Sequence, residues 1–127
     1  MSQNVVVARC VDLLTEPDWL RISLVLPPNL ATRAKRKNEM YRGFVEAVLW
    51  VACNGAFWSE LPKEYGTWRS VYVRYIRWCD AGTWTLVREA LGAESVYGVA
   101  LNSLLSQQMY SQQKRRLRAV RLTNRAG

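Results

Sequence analysis

The stretch that decides the fold is SELPKEYGTWRSVYVRYIRW, residues 59–78. Ser59 is a typical helix N-cap and Gly66 a typical helix end, so residues 59–66 predict a short helix of about two turns. Thr67 is the predicted N-cap of a longer helix over residues 68–81, which stops at Gly82. Two helices joined by a tight turn, the second rich in arginine, are typical of a helix-turn-helix.

The longer helix of this pair has two different faces. Val71, Tyr72, Tyr75 and Trp78 recur at three- and four-residue steps, which predicts a buried stripe rather than exposed base-stacking rings. The positions that point elsewhere are Arg69, Ser70, Val73, Arg74, Ile76 and Arg77. In a helix-turn-helix the arginines would reach phosphates or guanine edges in the DNA major groove. A plain bundle with a solvated basic face would show the same pattern.

The remaining patterns predict an all-α, compact helical bundle. Helices are predicted from the Thr15 cap to Leu26, from the Asn38 cap to Gly55, and from the Thr83 cap to Gly92. The second of these is expected to be the central core helix, because apolar residues recur along it at helical spacing. Pro27-Pro28 is expected to end the first helix, and residues 29–38 to form a polar connector.

Two segments carry positive charge without acidic residues. They contain Arg33, Lys35, Arg36 and Lys37 in the connector, and Lys114, Arg115, Arg116 and Arg118 near the C-terminus. The connector is either a solvated loop or a clamp on DNA phosphates. The C-terminal segment is predicted to be a frayed or disordered tail that either keeps the chain soluble or forms a second DNA-contacting arm.

These patterns divide the chain into four parts. They are an N-terminal arm (1–13), a helical DNA-binding domain (14–92), a C-terminal helix (93–113) and the basic tail (114–127). The apolar residues of the C-terminal helix, Val96 to Leu105, either pack on the bundle or mediate a homodimer.

The composition favours an anionic partner. Half of the 127 residues are hydrophobic, enough for the core of one domain. Eighteen Lys and Arg against ten Asp and Glu give a formal charge of +8, which is typical of a protein that binds nucleic acid or an acidic protein surface. The sequence contains no His, so it lacks the usual general base and the commonest metal ligand. Most hydrolase mechanisms are thereby excluded.

Cysteine usage and hydropathy indicate a cytoplasmic protein without metal, cofactor or membrane association. Cys10, Cys53 and Cys79 are widely spaced and form no CxxC pair, which predicts neither a disulfide framework nor a zinc site. The N-terminus does not read as an export signal, and the apolar stretch 44–58 is shorter than the ~20 residues of a membrane span.

Six runs of residues match a known family in order and spacing. They are LTEPDW (14–19), LPP (26–28), NGAFWSELP (54–62), YGTWRSVY (65–72), RW (77–78) and GTW (82–84). Through them residues 14–91 resemble the N-terminal helical domain of bacterial insertion-sequence transposases of the IS-five type. The resemblance implies a helix-turn-helix module that binds the terminal inverted repeats of the mobile element.

The resemblance also implies what this chain does not do. In the family a ribonuclease-H-like domain follows, whose three acidic residues hold the divalent metals for strand cleavage, and this chain is expected to stop where that domain begins. The acidic residues present are scattered over predicted helices and caps rather than gathered around metals. We therefore expect no catalytic residues and no enzyme activity in this polypeptide.

The chain departs from the family pattern on the second helix of the expected motif. The resemblance implies basic residues at positions 73 and 76, where this chain has Val73 and Ile76 beside the retained Arg74 and Arg77. Losing two phosphate contacts would flatten the log–log salt dependence of DNA binding by roughly two units. Val73 and Ile76 would instead contact thymine methyl groups, an extra helix or a protein.

Two functions of different classes follow. The first is a protein that binds double-stranded DNA, acting as a transcriptional or nucleoid regulator of the bacterial cytoplasm or as the first frame of a split transposase. The second is a protein-interaction module of the same fold, which binds a regulator, a polymerase or a transposase through Val73 and Ile76.

Overall fold

A computed structural model describes the backbone of residues 14–126 and the side chains of residues 14–122, so the expected N-terminal arm lies outside the described residues. The elements of the described part are six α-helices and two 3-10 turns. They are α1 (Glu16–Val25), α2 (Pro28–Arg36), α3 (Asn38–Asn54), the turns Trp58–Glu60 and Lys63–Tyr65, α4 (Trp68–Asp80), α5 (Thr83–Leu91) and α6 (Val96–Ala126). The predicted compact all-α fold is confirmed.

Helix α3 lies at the centre of the bundle, as predicted. Its buried side chains are Tyr41, Phe44, Val45, Ala47, Val48, Leu49 and Val51. Because these residues cover more than one face of the helix, a single neighbour could not bury them. Helices α2, α4 and α6 all pack against α3, while α1 packs mainly against α5. Helix α3 ends at Gly55, whose φ of 56° is the left-handed conformation that glycine adopts readily.

Aromatic side chains join α3, α4 and α5. The ring of Trp78 on α4 lies 4.9 Å from that of Phe44 on α3 and 5.0 Å from that of Trp84 on α5, measured between centroids. Trp84 is almost fully buried, and its Nε1 donates a hydrogen bond of 3.0 Å to the carbonyl oxygen of Tyr75. These contacts bury one face of α4 and leave the opposite face to solvent.

The predicted polar connector is wrong, because residues 28–36 form helix α2. Pro27 occupies the N-cap position and Pro28 the first helical position, where the missing N–H leaves no hydrogen bond unmade. Leu30, Ala31 and Ala34 pack against the core. Pro27-Pro28 therefore ends one helix and begins the next.

The predicted two-turn helix at residues 59–66 is also wrong. Two separate 3-10 turns occupy this segment, and Leu61 and Pro62 lie between them. Proline lacks the N–H that an α-helix needs and disfavours the α conformation of the residue before it, here the buried Leu61. In the described chain α4 thus has turns before it, and the α-helical first member of a helix-turn-helix is not seen.

The predicted helix caps have mixed outcomes. The Thr15 hydroxyl accepts a hydrogen bond from the Asp18 N–H at 3.3 Å, as predicted. Thr67 is the N-cap residue of α4, but its hydroxyl lies 3.4 Å from that of Ser70 instead of capping the backbone. Asn38 and Thr83 are first helical residues rather than caps.

The predicted C-terminal helix and disordered tail form one helix of 31 residues, α6. The Ser95 hydroxyl caps it by accepting a hydrogen bond of 3.0 Å from the Gly98 N–H. Leu101 and Leu104 are buried, so the apolar start of α6 packs on the bundle. The side chains after Leu105 are mostly exposed. Among the described helices, none is both long enough and apolar enough to cross a membrane.

The cysteines differ from expectation at one position. Cys53 on α3 is disulfide-bonded, whereas the sequence predicted no disulfide for it. Cys79 on α4 is a free, half-buried thiol. Burial raises the pKa of the Cys79 thiol, so it is an unreactive packing residue near neutral pH.

Trp84→Phe is expected to lower the free energy of unfolding by about 1–3 kcal/mol, because it removes the buried hydrogen bond to the Tyr75 carbonyl. Urea denaturation followed by circular dichroism measures the loss. Trp50→Phe, at a half-buried tryptophan of α3, is the matched control and should be milder. An equal or larger loss for Trp50→Phe would contradict the role given to this hydrogen bond.

Tyr75→Phe is expected to leave stability at neutral pH within about 1 kcal/mol of the parent value. Within the described part of the chain no hydrogen bond of good geometry reaches the buried Tyr75 hydroxyl, although the Cys79 side chain lies beside it. Burial, reinforced by Cys79, raises the pKa of Tyr75 well above its usual value. Tyrosine therefore ionises more readily in the unfolded chain, so stability is complete below about pH 10 and falls above it.

The same variant should lose less stability than the parent as the pH rises above about 10, which urea titrations from about pH 9 to pH 11 would measure. Tyr110→Phe, at an exposed position of α6, is the control. If Tyr75→Phe and the parent lose stability in parallel, Tyr75 is not the group that titrates.

Candidate nucleic-acid interface

The solvent face of α4 gathers most of the contact residues predicted on that helix. With Val71, Tyr75 and Trp78 buried, the other side of the helix is open. A shallow groove of about 380 Å³ lies along it, which we call the α4 groove. It is lined by Arg69, Ser70, Val73, Arg74 and Arg77. These lining residues include three cations and no acid.

The structure separates Val73 from Ile76. Val73 lies among the arginines of the α4 groove with 48% of its surface exposed. Ile76 is partly buried and packs against the core. The apolar patch expected from this pair is therefore reduced to a single valine within a cationic surface.

Arg74 is held over aromatic rings. Its guanidinium carbon lies 5.2 Å from the centroid of the Tyr41 ring and 5.5 Å from that of Phe44. Arg69 has a similar contact with the ring of Trp68, at 5.5 Å. Cation–π contacts of this kind orient the planar guanidinium donors and reduce the ordering needed when a ligand binds.

Helix α2 brings a second set of cations next to Arg74. A groove of about 340 Å³, which we call the basic groove, is lined by Arg33, Arg36, Lys37, Met40, Tyr41 and Arg74. Arg33, Arg36 and Lys37 have the i, i+3, i+4 spacing of one helix face. That spacing was the signal that could have revealed a helical basic surface in place of a loop. Lys35, also predicted to bind DNA, is exposed on α2 but does not line the groove.

The predicted contact residues near the C-terminus lie elsewhere. Lys114, Arg115, Arg116 and Arg118 are all exposed on the second half of α6. They line neither the α4 groove nor the basic groove. The same half of α6 also exposes the apolar side chains Leu117, Val120 and Leu122, so its surface is not purely polar.

The described residues contain no group of three His, Cys, Asp or Glu side chains placed to hold a metal ion. What the interface offers is cations, hydroxyl groups and aromatic rings. These groups bind and orient anions and planar ligands.

Comparisons with known proteins show the family of the chain. The family model described as "Putative transposase of IS4/5 family (DUF4096)" matches residues 14–87. The uncharacterized protein y4sN of Sinorhizobium fredii (strain NBRC 101917 / NGR234) is 38% identical over 72 residues, which make up 56% of this chain and 56% of that protein. The chain thus matches about half the length of this curated relative. No solved structure matches the chain. The family match includes both grooves, whereas α6 lies outside it.

Proposed function

The chain belongs to the IS4/5 transposase family, and we propose that its helical domain binds double-stranded DNA as part of a transposase-related function. The observation that carries the proposal is the position of Arg74, which lines both the basic groove and the α4 groove. The two grooves therefore form one cationic surface from the end of α2 across α4.

The charge of this surface suits a phosphate backbone. Residues that line the two grooves provide six cations, Arg33, Arg36, Lys37, Arg69, Arg74 and Arg77, and no acid. Cations that neutralise phosphates release condensed counterions, which supplies much of the affinity of DNA-binding proteins. Arg33, Arg36 and Lys37 are assigned to phosphate contacts that orient the domain on the duplex.

Helix α4 is assigned to the major groove. Its exposed face presents Arg69 and Arg77, whose forked donors match the edge of guanine, and Val73, which suits the methyl group of thymine. Arg74 lies between the two sets and is already oriented by the Tyr41 and Phe44 rings. The helix thus combines base contacts with a backbone contact, as recognition helices do.

The basic half of α6 is proposed as a second phosphate-contacting arm. Lys114, Arg115, Arg116 and Arg118 are exposed on it, and it carries no acidic residue. Such an arm adds affinity without reading sequence. The DNA bound by the two grooves and by this arm would be either the ends of an insertion element or a regulatory site on the bacterial nucleoid. Sequencing the DNA that the purified chain selects from random duplexes would distinguish these targets.

The double variant Arg33→Gln/Arg36→Gln is expected to reduce the slope of log K against log salt concentration by about two units, because each phosphate contact contributes about 0.9. Fluorescence anisotropy with a labelled duplex, across a salt series, measures the slope. Arg21→Gln/Lys63→Gln removes the same charge from exposed positions outside both grooves and should leave the slope unchanged. Equal effects of the two pairs would mean that net charge alone binds DNA.

A second candidate function, a protein-interaction module, rests on the exposure of Val73 and of the apolar side chains on α6. Val73→Arg tests whether the α4 groove faces DNA. If the α4 groove faces DNA, the added cation lies near the phosphates that flank the major groove and steepens the salt slope by up to about 0.9. Val99→Arg adds the same charge at an exposed position of α6 and is the control. Loss of DNA binding in Val73→Arg, with the control unaffected, would argue against the proposed orientation of α4.

A further inference from the structure

A cavity of about 420 Å³ lies between α3, α4 and the second 3-10 turn, beside the basic groove. We call it the α3–α4 cavity. Its walls include Met40, Gly43 and Phe44 from α3, Tyr65 from the turn, and Ser70 and Arg74 from α4. Met40 and Arg74 also line the basic groove, so the two spaces adjoin. A cavity of this size can hold a small planar ligand.

Gly43 is unexplained by the packing of the protein itself. Glycine in the interior of a helix weakens the helix relative to alanine. A Cβ atom built on Gly43 would meet nothing within 4 Å, so no neighbour requires glycine there. At Gly98 on α6, by contrast, a Cβ atom would collide with the carbonyl oxygen of Gly92. The consequence of glycine at position 43 is a wider cavity.

The chemistry of the walls selects the ligand. Tyr65 and Met40 provide aromatic and apolar surface in front of the buried Phe44, while Arg74 and Ser70 provide donors. Glu39 and Glu64 also line the cavity and provide acceptors. Burial, then Glu64 and Glu46, raise the pKa of the Tyr65 hydroxyl, so it stays protonated and able to donate. Glu39 and Glu64 disfavour a phosphate inside the cavity, and Arg74 offsets one of their two charges, so the walls do not require a charged ligand. A neutral, flat ring with donors and acceptors on its edge fits.

We propose that the α3–α4 cavity binds one unstacked nucleobase, whose phosphate lies in the adjoining basic groove. Proteins recognise splayed-out bases by stacking on aromatic rings and arginine planes and by hydrogen bonds to the base edge. Arg74, which lines both spaces, would contact the phosphate on one side and the base on the other. The base belongs either to an unpaired nucleotide in DNA, which rests on the proposed function, or to a free nucleotide.

The test compares a duplex that carries a single-adenine bulge with the fully paired duplex of the same sequence. The purified full chain is expected to bind the bulged duplex at least about fivefold more tightly, the lower end of what base–aromatic stacking contributes. Gly43→Leu should abolish this preference without changing affinity for the paired duplex. Ser103→Leu introduces the same side chain at an exposed position of α6 and should retain the preference.

Gly43→Ala is a second variant that keeps the test valid if Gly43→Leu fails to fold. It should raise the midpoint of thermal unfolding, since alanine favours the helix, and still reduce the preference for the bulge. A stabilised Gly43→Ala variant together with an unaltered preference in Gly43→Leu would overturn the proposal. The proposal would also be overturned if Gly43→Leu weakened the binding of the bulged and the paired duplex equally.

The remaining outcomes separate this proposal from the proposed function. If the parent chain binds both duplexes equally and with a steep salt slope, the cavity proposal fails while DNA binding stands. If neither duplex binds, isothermal titration calorimetry with AMP tests whether the cavity binds a free nucleotide. Binding of AMP that Gly43→Leu abolishes would support the cavity with a free nucleotide as ligand, and absence of AMP binding would overturn it.

Discussion

Helix α4 is held in one rotation about its axis by the aromatic side chains that it buries. Tyr75 and Trp78 on α4 pack among Phe44 of α3 and Trp84 of α5, with centroids of the contacting rings 4.9–5.7 Å apart. A rotation by half a turn would expose these rings and bury the arginines, which is unfavourable on both counts. The cationic surface of α4 is therefore a consequence of core packing.

A second set of contacts places α2 beside that surface. The Leu14 N–H donates to the Glu46 carboxylate at 2.9 Å, and Arg42 donates to the Leu14 carbonyl, so the start of α1 is tied to α3. At the start of α3 the Asn38 side chain accepts a hydrogen bond of 2.6 Å from the Trp19 indole of α1. Helix α2 connects these two anchored helices, so its last turn lies close to the start of α3. That position brings Arg33, Arg36 and Lys37 to Arg74.

This arrangement differs from the helix-turn-helix that the resemblance implied. The residues before α4 form two 3-10 turns around Leu61 and Pro62, and the helix that shares a cationic surface with α4 is α2. In the interface proposed here α2 positions the domain on the phosphates and α4 reads the bases. The turns have a separate role, since the second of them provides Tyr65 to the wall of the α3–α4 cavity.

Local sequence patterns by themselves determined the all-α class, the bounds of α1, α3, α4 and α5 to within a residue or two, and the buried stripe of α4. They sufficed because glycine and proline stops, polar residues at helix starts and a 3.6-residue apolar period act over a few residues. Helix α2 was not predicted because Pro27-Pro28 ends one helix and also begins the next. The helical end of α6 was not predicted because a run of like charges is also typical of a disordered tail. Only the tertiary structure brought the cations of α2 to Arg74 and opened the cavity at Gly43. Neither follows from local patterns, because both depend on how α2 and α4 pack against α3, and that packing is set by contacts between residues far apart in the chain.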